Sequence, residues 1–370
     1  MPKKQAATLL IVLAAIGGAI YYLETNKPGR GASEPVTELP AENMPSTEKA
    51  QKFAPAKELV NPSGYINTKP FHLQDLIGKQ VILVDFWTYS CINCQRTLPY
   101  LNAWQEKYGS RGLTIIGVHT PEFAFEQKPE NVQAAVEKFS ISYPVVLDND
   151  YATWQAYGNR YWPRKYLIDI DGYIIYDHIG EGNYEETEQK IQSALRERAQ
   201  RLGNAAPTDT GISHPAATPA PTGNSVSPET YFGAARNEFL GNGQKLTAGP
   251  QHFSAAATAQ KNKLYLAGDW DIQPEYATNT SPASIVYRYR GQNVYLVAAA
   301  DQPVTVRVLR DGRSLEGADE EDIQMRGTDS IVTIQPDRLY KLIAEPAPGE
   351  HTLELFIESP GLRVYTLTFG

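Results

Sequence analysis

Val81-Ile-Leu-Val-Asp-Phe-Trp-Thr-Tyr-Ser-Cys-Ile-Asn-Cys94 decides how the rest of the chain is read. Val81 to Trp87 is almost unbroken in its apolar character, the mark of a strand buried on both faces. It runs into Cys91 and Cys94, the only cysteines among 370 residues, and then into a helical pattern from Asn93 to Tyr108. That order sets one sulfur at a helix N-terminus, where unpaired backbone N–H groups and the helix dipole stabilise a thiolate. The second sulfur follows one turn later, close enough to close a Cys91–Cys94 disulfide. The arrangement points to thiol–disulfide exchange, with Cys91 as nucleophile and Cys94 resolving the mixed disulfide. A purely structural disulfide across so short a loop would restrain little of the unfolded chain. A metal site lacks its other half, since the six histidines are scattered without ligand spacing.

Outward from this stretch, strands and helices alternate. A short hairpin is expected at Gly64 to Leu73. Leu113 to His119 reads as a second buried strand, Asn131 to Phe139 as a helix and Tyr143 to Leu147 as a third strand. Tyr166 to Ile170 and Tyr173 to His178 form a hairpin turning at Asp171-Gly172, and Glu185 to Leu202 is a closing amphipathic helix. A mixed sheet flanked by helices follows from this order. After residue 226 the pattern changes to short alternating strands punctuated by Asp311-Gly312, Pro348-Gly349 and Pro360-Gly361. Those strands predict an antiparallel β-sandwich.

The N-terminus reads Met1-Pro-Lys-Lys and then stays uncharged to Leu23. Ala6 to Leu23 is long enough to cross a bilayer core, and Lys3 and Lys4 favour a cytoplasmic N-terminus with the remainder exported. A cleavable signal peptide is the rival reading. The expected organisation is a single transmembrane anchor or signal peptide at 1–24 and a flexible linker at 25–59. An α/β domain then spans 60–202, a Pro/Ala/Thr linker 203–226 and the β-sandwich 227–370. The formal net charge of -8 and the lack of a basic run argue against a nucleic-acid partner.

The middle third resembles a thioredoxin fold. Leu83-Val-Asp-Phe-Trp87 precedes the cysteine pair, and Pro99 lies eight residues after Cys91. Thr114-Ile-Ile-Gly-Val-His119 with the helix and strand after it is similar to the insertion of the TlpA-like, membrane-anchored branch. Gly117-Val-His-Thr-Pro-Glu-Phe123, Tyr161-Trp-Pro-Arg-Lys-Tyr-Leu-Ile-Asp169, Ser227-Pro-Glu-Thr-Tyr231 and Trp270 with Glu275-Tyr-Ala277 resemble the C-terminal periplasmic part of DipZ-type proteins. The resemblance implies a redox-active Cys91/Cys94 couple with no cofactor. It implies a buried acid at Asp85 that handles the proton of Cys94, a cis proline at Pro163 whose neighbour Trp162 presents its backbone to substrate, and a tuning acid at Glu122. An acid within an apolar strand is costly unless its charge is lost or used, which agrees with such a role for Asp85. Trp87 is expected to shield the sulfurs at the substrate face, and Tyr89, Ser90, Ile92 and Asn93 to adjust redox poise.

The implied activity is reduction of protein disulfides outside the cytoplasm, with electrons from a membrane donor of the CcdA/DsbD type and a link to cytochrome c biogenesis. DipZ-type proteins carry a multi-span electron-transferring membrane domain, which a single span replaces here. A thiol peroxidase is the rival enzyme reading, and a copper-binding or envelope scaffold protein the non-enzymatic one. The C-terminal half resembles jelly-roll, carbohydrate-binding-module-like sandwiches in outline. Trp270, Tyr276, Tyr287, Tyr289 and Tyr340 are its candidates for a glycan- or protein-binding face, with core packing as the alternative.

Overall fold

The computed structural model describes residues 46–205, 209–216, 226–315 and 321–370. The span expected at 1–24 lies outside the described residues, and among those described no helix is long and apolar enough to cross a membrane. The α/β domain opens with α1 (Ser46–Lys52). It continues through β1 (Gly64–Ile66), β2 (Val81–Trp87), α2 (Ile92–Tyr108), β3 (Leu113–His119), α3 (Pro129–Lys138) and β4 (Val145–Leu147). After α4 (Ala152–Ala156) come β5 (Arg164–Ile168), β6 (Ile174–Ile179) and α5 (Tyr184–Leu202). Its sheet has the order β1-β4-β3-β2-β5-β6, with β2, β3 and β4 parallel and the other pairings antiparallel. Strand β2 is central and fully buried. Leu83 and Trp87 pack toward α2, while Ile82, Val84 and Phe86 fill the opposite layer.

Two expectations for this half need correction. Gly64 to Ile66 does not form a hairpin with the residues after it. It pairs with β4, and a short 3-10 turn at Leu73–Leu76 follows. Residues 46–59, expected as tether, belong to the domain. Lys49 is fully buried, its ammonium held by Asp169 at 2.6 Å, Asp171 at 3.1 Å and Glu197. Three carboxylates that could suggest a cation site thus converge on a lysine, with Glu197 Oε2 left without a hydrogen-bond partner among the described residues. Pro55 and Ala56 then lie beside Tyr173 and Gly172 at the β5–β6 turn. The second linker is docked in part as well, with the Ser213 N–H and hydroxyl donating to Glu188 of α5.

The C-terminal half is all β, with strands β7 (Thr230–Tyr231), β8 (Gly249–Phe253), β9 (Leu264–Ile272), β10 (Ala277–Asn279), β11 (Ala283–Ala299) and β12 (Val304–Arg310). They are followed by β13 (Arg313–Ser314), β14 (Gln324–Arg326), β15 (Asp329–Ile334), β16 (Arg338–Ile357) and β17 (Arg363–Phe369). Four of the expected short strands prove to be two long ones. Ile285–Tyr289 and Val294–Ala298 both lie in β11, and Leu339–Ile343 and Thr352–Ile357 both lie in β16. The strands form one hydrogen-bonded sheet of 11, in the order β14-β15-β12-β16-β11-β17-β10-β9-β8 with β13 on β12 and β7 on β17, and each long strand changes partners along its length. The first part of β11 pairs with β9 and its last part with β17, with a bulge between Gly291 and Asn293 where the strand turns the corner. Gly268 makes the matching bend in β9, at φ +93° and so close to Pro282 that a Cβ would lie 2.7 Å from its carbonyl oxygen.

Along β11, Val294, Leu296 and Ala298 face the core of the sandwich. Tyr295, Val297 and Ala299 face the other way, and they join Leu339 and Tyr365 in the core of the α/β domain. The sandwich is therefore packed on its outer face as well as its inner one. Trp270, Tyr287, Tyr289 and Tyr340 are each at most 1 % exposed and belong to its inner core. A stacking face built from them is ruled out, and Tyr276, half-buried, packs on Tyr365 between the domains.

Candidate active site

Cys91 caps α2. Its extended backbone ends the loop after β2, and its sulfur accepts the N–H of Cys94 at 3.4 Å, one of the donors that a helix start leaves unpaired. Both cysteines are thiols in this structure. Cys91 is partly open to solvent, whereas Cys94 lies one turn inward at 1 % exposure. Burial, with the sulfur of Cys91 alongside, holds the Cys94 thiol well above its usual pKa. Negative charge is therefore resisted at Cys94.

Behind Cys94 sits a closed polar group. Asp85 is 1 % exposed, and its Oδ1 has no hydrogen-bond partner among the described residues. Burial pushes its carboxyl up to about 7, although the Lys165 charge pulls the other way. Lys165 stands directly opposite on β5, fully buried, with its ammonium donating to the Gly180 carbonyl at 3.2 Å. Burial lowers its pKa, and the charges of Asp85 and Cys94 work against that fall. The Tyr143 hydroxyl completes the group, its pKa raised by burial and by the nearby Asp85 and Cys94. Gly117 makes room for it, since a Cβ there would meet Trp87 at 3.0 Å and Tyr143 at 3.2 Å. Trp87 needs correcting: it is fully buried against His119 and does not line the cleft, so it cannot touch substrate.

The loop from Pro121 to Gln127, between β3 and α3, ties the site together. Glu126 is fully buried and accepts from the Ser90 N–H and hydroxyl on one side and from the Glu122 and Phe123 N–H groups on the other. Burial pushes its carboxyl up to about 7, with the Ser90 hydroxyl opposing the rise. It thereby fixes the approach to Cys91 and the position of Glu122 at once. His119, fully buried between Trp87 and Tyr89, is pushed by burial down to about 3 and so stays neutral.

Cys91 opens onto a cleft of about 510 Å3. Asn93, Glu122 and Trp162 line it from the α/β domain, and Glu229, Tyr231 and Arg236 from the C-terminal half. The Trp162–Pro163 peptide is cis, and the Trp162 indole donates to the Thr120 carbonyl at 3.0 Å. The site thus brings together Cys91, Glu122 and Trp162 at the cleft, with Pro163 beside Trp162, and Cys94 with Asp85 behind it. Sequence reasoning passed over Glu126, Lys165 and Arg236. A lysine in the strand Arg164–Ile168, just before Tyr166-Leu-Ile168, was the readable signal for one of them. Nothing local marks the other two, because their partners come from distant loops.

Two family profiles match the chain: Redoxin over residues 45–195 and the thioredoxin-like C-terminal domain over residues 227–370. Protein DipZ of Mycobacterium bovis is 36% identical over 319 residues, 85% of this chain and 43% of that protein. The chain therefore spans less than half the length of this relative. The thiol-disulfide oxidoreductase YkuV of Bacillus subtilis is 27% identical over 39% of this chain and 95% of its own. ResA of Bacillus thuringiensis, also named a thiol-disulfide oxidoreductase, is 32% identical over 32% of this chain and 66% of its own. With its dithiol at the start of α2, its mixed sheet and its appended β domain, the chain belongs to the thioredoxin family as a TlpA/DipZ-like protein.

Proposed function

We propose that this chain is a thiol–disulfide oxidoreductase that reduces protein disulfides through Cys91 and Cys94. The observation that carries the reading is the asymmetry of the pair, with one sulfur at a helix start on an open cleft and the other buried with its proton held. The Cys91 thiolate attacks a substrate disulfide and forms a mixed disulfide as the first substrate sulfur leaves. Cys94 then loses its proton toward the Asp85 carboxylate and attacks Cys91, which frees the second substrate sulfur and leaves the Cys91–Cys94 disulfide. Asp85 suits the task because its pKa of about 7 lets it hold or release a proton near neutral pH. Trp162 beside the cis proline would hold the substrate strand by its backbone, and Glu122 would set the charge at the cleft.

A membrane anchor in residues 1–24, an extracytoplasmic location and a CcdA/DsbD-type electron donor belong to the same proposal. They rest on the apolar N-terminal sequence and the likeness to DipZ. Cytochrome c maturation is one destination for the reducing power. The thiol peroxidase and copper-carrier readings gain nothing specific from the site, and His119 is enclosed away from the cleft.

Trapping tests the assignment. Cys94→Ala is expected to accumulate covalent mixed disulfides with partner proteins, identified by mass spectrometry, and Cys91→Ala to accumulate few or none. Equal yields from the two variants would overturn the choice of nucleophile. A reduction potential as oxidising as that of DsbA-class proteins would overturn the direction of electron flow.

A further inference from the structure

Ser227-Pro-Glu-Thr-Tyr231 is conspicuous in the sequence, yet the dithiol chemistry above gives it no task. In the structure it forms the wall of the cleft opposite Cys91. The Tyr231 hydroxyl stands 2.8 Å from Glu122 Oε1 and 2.8 Å from Glu229 Oε2. A phenol has a single proton, so it can donate fully to only one of two carboxylates. With both ionised, the other contact would be a bare approach of two electron-rich oxygens. A second proton, carried by one carboxyl and donated to the phenol oxygen, removes that repulsion.

The surroundings decide which carboxyl carries it. The Arg236 guanidinium donates to Glu122 Oε1 at 2.7 Å and lies over the Tyr231 ring at 3.7 Å, which fixes negative charge on Glu122. Glu229 has no cation at hydrogen-bond distance among the described residues, and its Oε1 accepts only the Thr368 hydroxyl at 3.1 Å. Glu229 is exposed at the cleft, where desolvation by the cleft wall and the neighbouring Glu122 charge push its carboxyl upward, which agrees with the geometry. The other charged or titratable groups facing the cleft are Cys91, Arg160, Tyr161 and Glu181.

We propose that Glu229, delivered by the C-terminal domain, is the general acid for the first exchange step. The proposal rests on the oxidoreductase reading and names a further catalytic residue for it. As the Cys91 thiolate bonds to one sulfur of the substrate, the substrate S–S bond breaks and its electron pair departs on the second sulfur. That sulfur takes the Glu229 proton and leaves as a neutral thiol. The Glu229 carboxylate, held by the Tyr231 hydroxyl, is then reprotonated from solvent. The C-terminal domain is on this view half of the active site.

The test uses the whole chain and two uncharged probes. Bis(2-hydroxyethyl) disulfide expels a basic alkyl thiolate that needs a proton, whereas 2,2′-dipyridyl disulfide expels a stabilised one that does not. The readout is the ratio of the two rate constants, alkyl over pyridyl, which is insensitive to changes in Cys91 itself. In the unaltered protein this ratio is expected to fall as pH rises and Glu229 loses its proton. Glu229→Gln is expected to lower it at least about tenfold at pH 6 and to flatten its pH dependence. An unchanged ratio, or two rates that fall together, would make Glu229 mere wall and overturn the proposal. Should the unaltered protein react with neither probe faster than free cysteine does, the oxidoreductase reading itself fails, and this inference with it.

Discussion

Asp85 meets two opposing demands. Within β2 it is enclosed beside Cys94, where a charge is costly, yet a thiol as buried as Cys94 needs a base close at hand before it can attack. Asp85→Asn keeps the shape and removes the base. Resolution of the mixed disulfide should then slow about 10- to 100-fold with the first attack little changed, as quenched-flow analysis of the covalent intermediate would reveal. Stability should move the opposite way. Burial raises the folded pKa to about 7, above the ordinary carboxyl value, so between those values the folded state binds more protons than the unfolded one. Stability contributed by this group is therefore present at low pH and lost as pH rises through about 7. Asp85→Asn should raise stability by on the order of 2 kcal/mol at pH 8, with the gain vanishing near pH 4 in urea titrations. A variant less stable at pH 8 would mean that the Lys165 charge outweighs desolvation.

The loop from Pro121 to Gln127 shows why elements of the same sequence type differ in what they do. Its Glu122 faces the cleft, its Phe123 and Phe125 pack on Tyr365 at 5.0 and 4.8 Å, and its Glu126 turns inward to hold the Ser90 loop and its own. Glu126→Ala leaves buried donors of Ser90, Glu122 and Phe123 without their acceptor. It should cost about 2–4 kcal/mol in chemical denaturation and slow alkylation of Cys91 by loosening the helix start. Loss of stability with unchanged Cys91 reactivity would separate the loop from the site. The strands and helices around this loop were legible because each announces itself locally. Leu113–His119 and Arg363–Phe369 occupy the residues that their apolar patterns mark. The long strands were not, since Gly291 and Gly349 interrupt the side-chain alternation where β11 and β16 bend between layers, and a bend and a strand end look alike in sequence. The placing of Cys91 and Cys94 at a helix start could be read from their spacing and the strand before them. Glu126 and Arg236 could not, because their meaning comes from partners brought close only by the finished fold.

At the scale of the whole molecule, the two halves share a core. Val294-Tyr-Leu-Val-Ala-Ala-Ala300 is buried at every position, its alternate side chains divided between the sandwich interior and the α/β domain. Such an unbroken apolar run signals cover on both faces, but it does not say what provides the outer cover. Here the cover is the Phe123–Phe125 loop, supported by the Tyr89 hydroxyl donating to the Asp337 carbonyl at 3.3 Å and by Arg96 over the Tyr295 ring. Each apolar side chain buried in this way contributes roughly 1.5–3 kcal/mol, so several of them together rival the net stability of an ordinary domain. The halves should consequently unfold as one cooperative unit, with a single calorimetric transition whose van't Hoff and calorimetric enthalpies agree. Val297→Asp tests this directly, because Val297 touches the α/β core and not the sandwich interior. An unpaired carboxylate there should pry the interface open, split the transition in two and widen the cleft at Cys91, where Glu229 and Tyr231 would move away with the C-terminal half. Two transitions in the unaltered protein would instead mean that the shared core is a contact between independent domains, and Glu229 could not then be held at the distance its role demands.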